Sequence, residues 1–74
     1  MKSKLNRIKS VLVDKEISQT ELAQKLGKSF STVNAYCCNR KQPSIEQLVE
    51  IANAIGVDVK DLLASNLNNN QQIK

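Results

Sequence analysis

The side chains able to do chemistry are few, and they crowd into one stretch. Between Leu22 and Ile45 there is no Asp or Glu, while Lys25, Lys28, Arg40 and Lys41 flank a run of small, hydroxyl and amide side chains, Phe30-Ser31-Thr32-Val33-Asn34-Ala35. In the helical register that turns Val33 and either Tyr36 or Cys37 inward, Phe30, Ser31, Asn34, Ala35 and Cys38 face outward. Such a face can read a base edge. Asn can pair bidentately with adenine N6 and N7, Ser can donate to or accept from several edges, and Phe or Ala can pack on a thymine methyl. The flanking cations are the electrostatic footprint of phosphate binding. A solvated basic surface that only keeps a small domain soluble has the same composition. An exposed Phe at a helix start can equally be a hydrophobic staple or a contact for a partner protein.

Other chemistries lack their parts. The chain has no His, no Gly-rich phosphate loop and no Ser/His/Asp set, and its two cysteines lack a second ligand pair for zinc. No enzyme, no cofactor and no metal is expected. Cys37 and Cys38 are adjacent, and within a helix their side chains diverge by about 100°. Reduced thiols follow rather than an intramolecular disulfide, with Cys38 an outward-facing thiol. At 74 residues the chain is one domain, of a size that buries only about 60% of its unfolded surface. With 41% hydrophobic residues, one Phe, one Tyr and no Trp, the core is aliphatic and leaves no room for a separate catalytic lobe. There is no run of apolar residues long enough to span a membrane, and Lys2, Lys4, Arg7 and Lys9 interrupt the beginning of the chain, so no signal peptide is expected and a cytoplasmic protein is. The net charge of +4 is uneven: residues 1–43 hold nine Lys or Arg and three acids, residues 44–74 two and four, giving +6 and −2.

The elements that must position the basic stretch can be read from caps and periodicity. Leu5, Ile8 and Leu12, with Val11 beside them, predict a first helix from about Lys4 to Lys15. Ser18 with Glu21 forms a capping-box pattern that starts a second helix at Gln19; Leu22, Ala23 and Leu26 form its buried stripe, and Gly27 stops it. Ser29 caps the third helix. Pro43 and Ser44 open a fourth, with Gln47 completing another capping box and Ile45, Leu48, Val49, Ala52 and Ile55 on its buried side; Gly56 ends it. Asp58 caps a short fifth helix, Val59 to Ala64, whose Leu62 closes the core. The predicted core is Leu5, Ile8, Leu12, Leu22, Ala23, Leu26, Val33, Tyr36, Leu48, Ile51, Ala52, Ile55 and Leu62. Residues 65–74, SNLNNNQQIK, are too polar to offset the entropy of ordering them, so the chain divides into a domain over 1–64 and a flexible polar tail.

Gln19, Leu22, Ala23, Leu26, Gly27, Val33 and Tyr36, followed by Arg40-Lys41-Gln42-Pro43-Ser44, resemble the lambda-repressor-like, or Cro and xenobiotic-response-element type, helix-turn-helix family over Leu5 to Leu63. The resemblance implies an all-α, compact five-helix DNA-binding domain. It implies that Gln19 holds the DNA backbone and that Phe30, Ser31, Asn34 and Ala35 meet base edges. Three positions depart from the pattern. The family commonly pairs an Arg in helix one with a Glu in helix three, and these positions hold Leu12 and Cys37; losing a buried ion pair whole leaves the fold intact. Glu16 stands where a helix-ending Gly is usual, at a cost of about 1 kcal/mol if its backbone is left-handed. Lys28 replaces a hydrophobic residue after the turn glycine, its stem covering the core while its ammonium reaches out.

The expected function is a sequence-specific regulator of transcription, a repressor, that reads the major groove of double-stranded DNA with helix three. Phe30, Ser31, Asn34 and Ala35 would read bases, and Gln19, Lys28, Arg40 and Lys41 would hold phosphates. A domain this small offers few base contacts, so the expected partner is a palindromic operator bound by a homodimer, with no membrane partner and a nucleoid-associated location in a prokaryotic or phage setting. Val59, Leu63 and Leu67 are the dimer candidates. The alternative is an antitoxin-like adaptor that presents Phe30 and Tyr36 to a protein; RNA binding is a third reading.

Overall fold

The computed structural model describes residues 5–64, in which four α-helices are followed by one 3-10 turn: α1 (Ile8–Lys15), α2 (Gln19–Leu26), α3 (Phe30–Cys37), α4 (Ile45–Ile55) and the turn Val59–Leu62. The expected fifth α-helix is thus a single 3-10 turn. Among the described residues no helix is long and apolar enough to cross a membrane, and no cluster of His, Cys, Asp or Glu could hold a metal ion. The polar tail assigned to 65–74 lies outside the described residues.

The helix starts follow the sequence. Ser18, Ser29 and Ser44 each accept the backbone N–H three residues on, from Glu21 at 3.0 Å, Thr32 at 3.1 Å and Gln47 at 3.1 Å. Among the α-helices described, the full reciprocal box forms only at α4, where the Ser44 N–H donates to Gln47 Oε1. The helix ends share one device. Glu16, Gly27, Asn39 and Gly56 all adopt positive φ, of 60°, 68°, 60° and 86°. The next amide in each case, Ile17, Lys28, Arg40 or Val57, donates to the carbonyl five residues back. This is the closure that satisfies carbonyls orphaned at a helix terminus. Glycine reaches it without penalty at Gly27 and Gly56, and Asn tolerates it; Glu16 does so at a cost of about 1 kcal/mol.

The core collects Ile8, Val11 and Leu12 from α1, Leu22 and Ala23 from α2, Val33, Tyr36 and Cys37 from α3, Leu48, Ile51, Ala52 and Ile55 from α4, and Leu62 from the turn. Both α2 and the turn pack on α4, and α3 packs on α1 and α2. Leu12 and Cys37 are both buried in this cluster, so apolar groups fill the positions where the resembling family carries an ion pair. Four expectations fail. Leu5 is 56% exposed and Leu26 only partly buried; Ile45 and Val49 are 71% and 42% exposed. On α4 the buried stripe is Leu48, Ile51, Ala52 and Ile55; Val49 falls outside it, and Ile45, in register with Leu48 and Ala52, is exposed at the first position of the helix.

Leu5 is exposed because helix one does not begin at Lys4. Asn6 stops it. Its Oδ1 accepts the Ile8 N–H at 3.0 Å, a local side-chain bond that starts α1 at Ile8. Its Nδ2 donates to the Tyr36 carbonyl at 3.0 Å and to Gln42 Oε1 at 2.8 Å. The backbone around it is extended and paired with the other end of the domain: the Arg7 N–H donates to the Leu62 carbonyl at 2.8 Å and the Ala64 N–H to the Leu5 carbonyl at 3.0 Å, an antiparallel bridge of Asn6 with Leu63. That pairing draws Leu63 into extended backbone and ends the 3-10 turn at Leu62. Asp58 stands at the N-cap of the turn, as expected, and its N–H donates to Asp61 Oδ2 at 3.2 Å.

Two substitutions test this account. Asn6→Ala strands the Ile8 N–H in the interior, takes from the Tyr36 carbonyl one of its two donors, the Asn39 N–H remaining, and should cost about 1–3 kcal/mol in chemical denaturation. A loss no larger than that of the exposed Gln24→Ala would show that the buried amide is dispensable. Glu16→Gly should raise stability by up to about 1 kcal/mol, because it relieves the left-handed side chain at the end of α1; a destabilised variant would contradict that assignment.

Candidate nucleic-acid interface

The third helix is anchored from within. Val33, Tyr36 and Cys37 are buried, and the Tyr36 hydroxyl donates to Gln47 Oε1 on α4 at 2.7 Å. Of the two inward candidates, Tyr36 and Cys37, both are inside. Burial of Tyr36 removes it from any partner-facing surface. With this side fixed, the opposite side presents Phe30, 52% exposed, with Ser31 exposed and Asn34 and Ala35 half-buried. Gln19 is the first residue of α2 and is half-buried, Lys28 is half-buried after the turn glycine, and Arg40 and Lys41 are exposed beyond the end of α3.

Three of these eight residues meet in one chain of hydrogen bonds. Asn34 Nδ2 donates to Gln19 Oε1 at 2.9 Å, and Arg40 Nη2 donates to Asn34 Oδ1 at 3.1 Å. Cys38 Sγ approaches the same oxygen at 3.8 Å. Asn34 therefore joins the start of α2 to the segment after α3. No side-chain hydrogen bond connects Phe30, Ser31, Lys28 or Lys41 to that chain, and all four stand apart from it on the same stretch of the molecule.

The basic pair is held by its backbone, and its side chains are exposed, that of Arg40 bonded to Asn34. The Arg40 and Lys41 N–H groups both reach the Ala35 carbonyl, at 2.9 and 3.3 Å. Beside them Asn39 Oδ1 accepts from the Leu5 N–H, the Asn6 N–H and Gln42 Nε2, at 2.9, 3.0 and 3.0 Å, and Asn39 Nδ2 donates to the Asn6 carbonyl at 3.1 Å. Asn6, Asn39 and Gln42 thus fix the segment that carries Arg40 and Lys41. Sequence reasoning missed all three. Their only signal was an excess of amides at element ends, where such side chains bond backbone.

The two thiols occupy opposite sides of the end of α3. Cys37 is buried and Cys38 exposed. Burial pushes the Cys37 thiol up to about 11, with the neighbouring Cys38 adding to the rise and Lys9 opposing it.

A family model described as helix-turn-helix matches residues 8–62. Among solved structures, the crystal structure of a candidate DNA-binding protein from Bacteroides fragilis is similar at a TM-score of 0.80 and 42% identity, over 81% of this chain and 97% of that one. No curated protein matches the sequence significantly.

The thiol arrangement has a direct readout. A disulfide reagent should modify one thiol rapidly in the native protein and two after unfolding, and native Cys38→Ser should show no fast reaction. Two fast equivalents in the folded protein would mean that Cys37 is not inside. Cys37 has its folded pKa raised from the ordinary 9.0 to about 11, so its contribution to stability is full below pH about 9 and is lost as pH rises through about 11. The stability difference between wild type and Cys37→Ala should shrink across that window.

Proposed function

Because the chain belongs to the lambda-repressor-like helix-turn-helix family, we propose that it is a sequence-specific double-stranded DNA-binding regulator, acting as a repressor, with α3 in the major groove. One observation supports this most. The outward side of α3 is flanked by cations with no acid between Leu22 and Ile45, and it is held rigidly from behind by Tyr36, Val33 and Cys37. Phe30, Ser31, Asn34 and Ala35 are the base-reading set. Gln19, Lys28, Arg40 and Lys41 are the phosphate-binding set.

The single domain is short of specificity. Each base pair read is typically worth about 1–3 kcal/mol, so two copies on a palindromic operator are required for useful discrimination. Their half-sites would lie near one helical turn apart, about 34 Å. Leu63 is 44% exposed and is the apolar contact available for a second copy. Val59 is partly spent on the core, and Leu67 lies outside the described residues.

Mobility shifts on selected and random duplex, at two salt concentrations, separate the two sets. Ser31→Ala should weaken the selected duplex by about 1–3 kcal/mol and leave random duplex nearly unchanged. Lys41→Ala should weaken both and shallow the salt dependence by about one unit. If changes on α3 weaken both duplexes equally, direct readout by this helix is wrong and an adaptor surface centred on Phe30 takes its place. On a two-half-site duplex, Leu63→Asp should abolish the two-protomer complex and spare the one-protomer complex; unchanged stoichiometry would exclude Leu63 from the interface.

A further inference from the structure

Asparagine and glutamine side chains carry a donor end and an acceptor end, and which end faces where is set by their neighbours. Here the neighbour decides. Arg40 has donors only, so the Asn34 atom that it meets at 3.1 Å must be the oxygen. Asn34 therefore turns Nδ2 toward Gln19, and Gln19 must answer with its oxygen, at 2.9 Å. Each amide oxygen in the chain accepts at least one bond from within, which leaves only a second lone pair on Gln19 Oε1. Asn34 Oδ1 holds Arg40 and, weakly, the Cys38 thiol at 3.8 Å; Gln19 Oε1 holds Asn34. What remains besides that lone pair are donors: the second Nδ2–H of Asn34, both Nε2–H groups of Gln19, which have no acceptor among the described residues, and the other guanidinium N–H groups of Arg40.

We infer that Arg40, acting through Asn34 and Gln19, makes this part of the interface a donor-rich strip with the Asn34 oxygen occupied, so that the base pair opposite Asn34 is read as guanine rather than adenine. The inference rests on the proposed DNA reading and sharpens it. Bidentate pairing with adenine needs a free Asn oxygen to accept from N6, and that oxygen is occupied. Guanine offers two acceptors side by side in the major groove, N7 and O6, with no amino group there. The free N–H of Asn34 suits that edge, which has an acceptor at either position and no donor to oppose it. The same strip suits phosphate oxygens at Gln19, the first residue of α2, where helix N–H groups also favour anions. Arg40 is thus a positioning residue for the two amides, in addition to its contact with the backbone.

The test is a selection from random duplex with the full-length wild type, Asn34→Ala and Arg40→Met. Asn34→Ala identifies the base pair concerned, as the one whose preference flattens. At that position the wild type should favour guanine over adenine, and Arg40→Met should lower the guanine-to-adenine ratio roughly tenfold, the scale of one lost base contact. Loss of the Arg40 charge weakens all duplexes alike, because phosphate contacts carry no sequence information, so the ratio isolates the positioning effect. Thermal melts confirm that both variants fold. A wild type that prefers adenine there, or a ratio unchanged in Arg40→Met while other positions keep their preferences, overturns the inference and leaves the DNA reading standing. Failure of the wild type to enrich any duplex overturns both.

Discussion

The arrangement of this domain depends on one buried amide. Asn6 is 2% exposed and is the sole polar side chain buried among the described residues. A polar group in that setting is costly unless every hydrogen-bonding position is used. Asn6 uses them all: its side chain bonds Ile8, Tyr36 and Gln42, and its backbone N–H and carbonyl bond the two ends of the Asn39 amide. No buried side-chain nitrogen or oxygen is left without a partner among the described residues. The consequences spread outward. The start of α1, the pairing of the segment around Leu5 with that around Leu63, and the path of the residues after α3 all follow from satisfying this group. An apolar residue at position 6 would remove the cost, but it would also remove the reason for residues 39–42 to take their course.

That course matters because α3 cannot set its own orientation. It is eight residues long, well under the length at which an isolated helix is stable in water, and it contains Val, Thr, Asn and Tyr, which are mediocre helix formers. Its direction comes from three buried side chains, from the Tyr36 hydroxyl on Gln47, and from the Asn39 closure at its end. Asn39 does two jobs that usually fall to different residues. It takes the left-handed backbone that ends the helix, and its side chain grips the segment before α1. Glycine would meet the first demand more cheaply and forfeit the second.

How much was legible in the sequence follows from how local each determinant is. Ser18, Ser29 and Ser44 cap helices by bonds that span three residues, and Gly27 and Gly56 end two of them by their own backbone freedom, so both bounds of α2 and α4 and the start of α3 could be read directly. Of the thirteen residues predicted for the core, eleven are buried, because a 3.6-residue period is visible in a single helix. The failures are non-local. Leu5 fits the period of helix one, but Asn6 is claimed by residues 30 and 36 positions away, and the helix begins after it. The last helix shrinks to a turn because Leu63 pairs with that same segment. The candidate site divides in the same way. Its residue types and charge were readable from spacing, whereas the union of Gln19, Asn34 and Arg40 across two helices and a loop required the fold.

The charge distribution and the amide chain act at different ranges. The stretch from Leu22 to Ile45 holds four cations and no anion, while Glu46, Glu50, Asp58 and Asp61 lie on α4 and the turn that follows. Within a Debye length, about 8 Å at physiological salt, such asymmetry would turn the α3 side toward a polyanion before any contact forms and raise the encounter rate. It cannot choose among sequences, since every duplex presents the same phosphates. That choice falls to groups whose donors and acceptors are fixed in direction. An amide whose orientation is free would offer either end to a base and discriminate little; one whose oxygen is held by a guanidinium offers only its N–H. On the proposed reading, the cation that helps attract the nucleic acid also decides which end of Asn34 meets it.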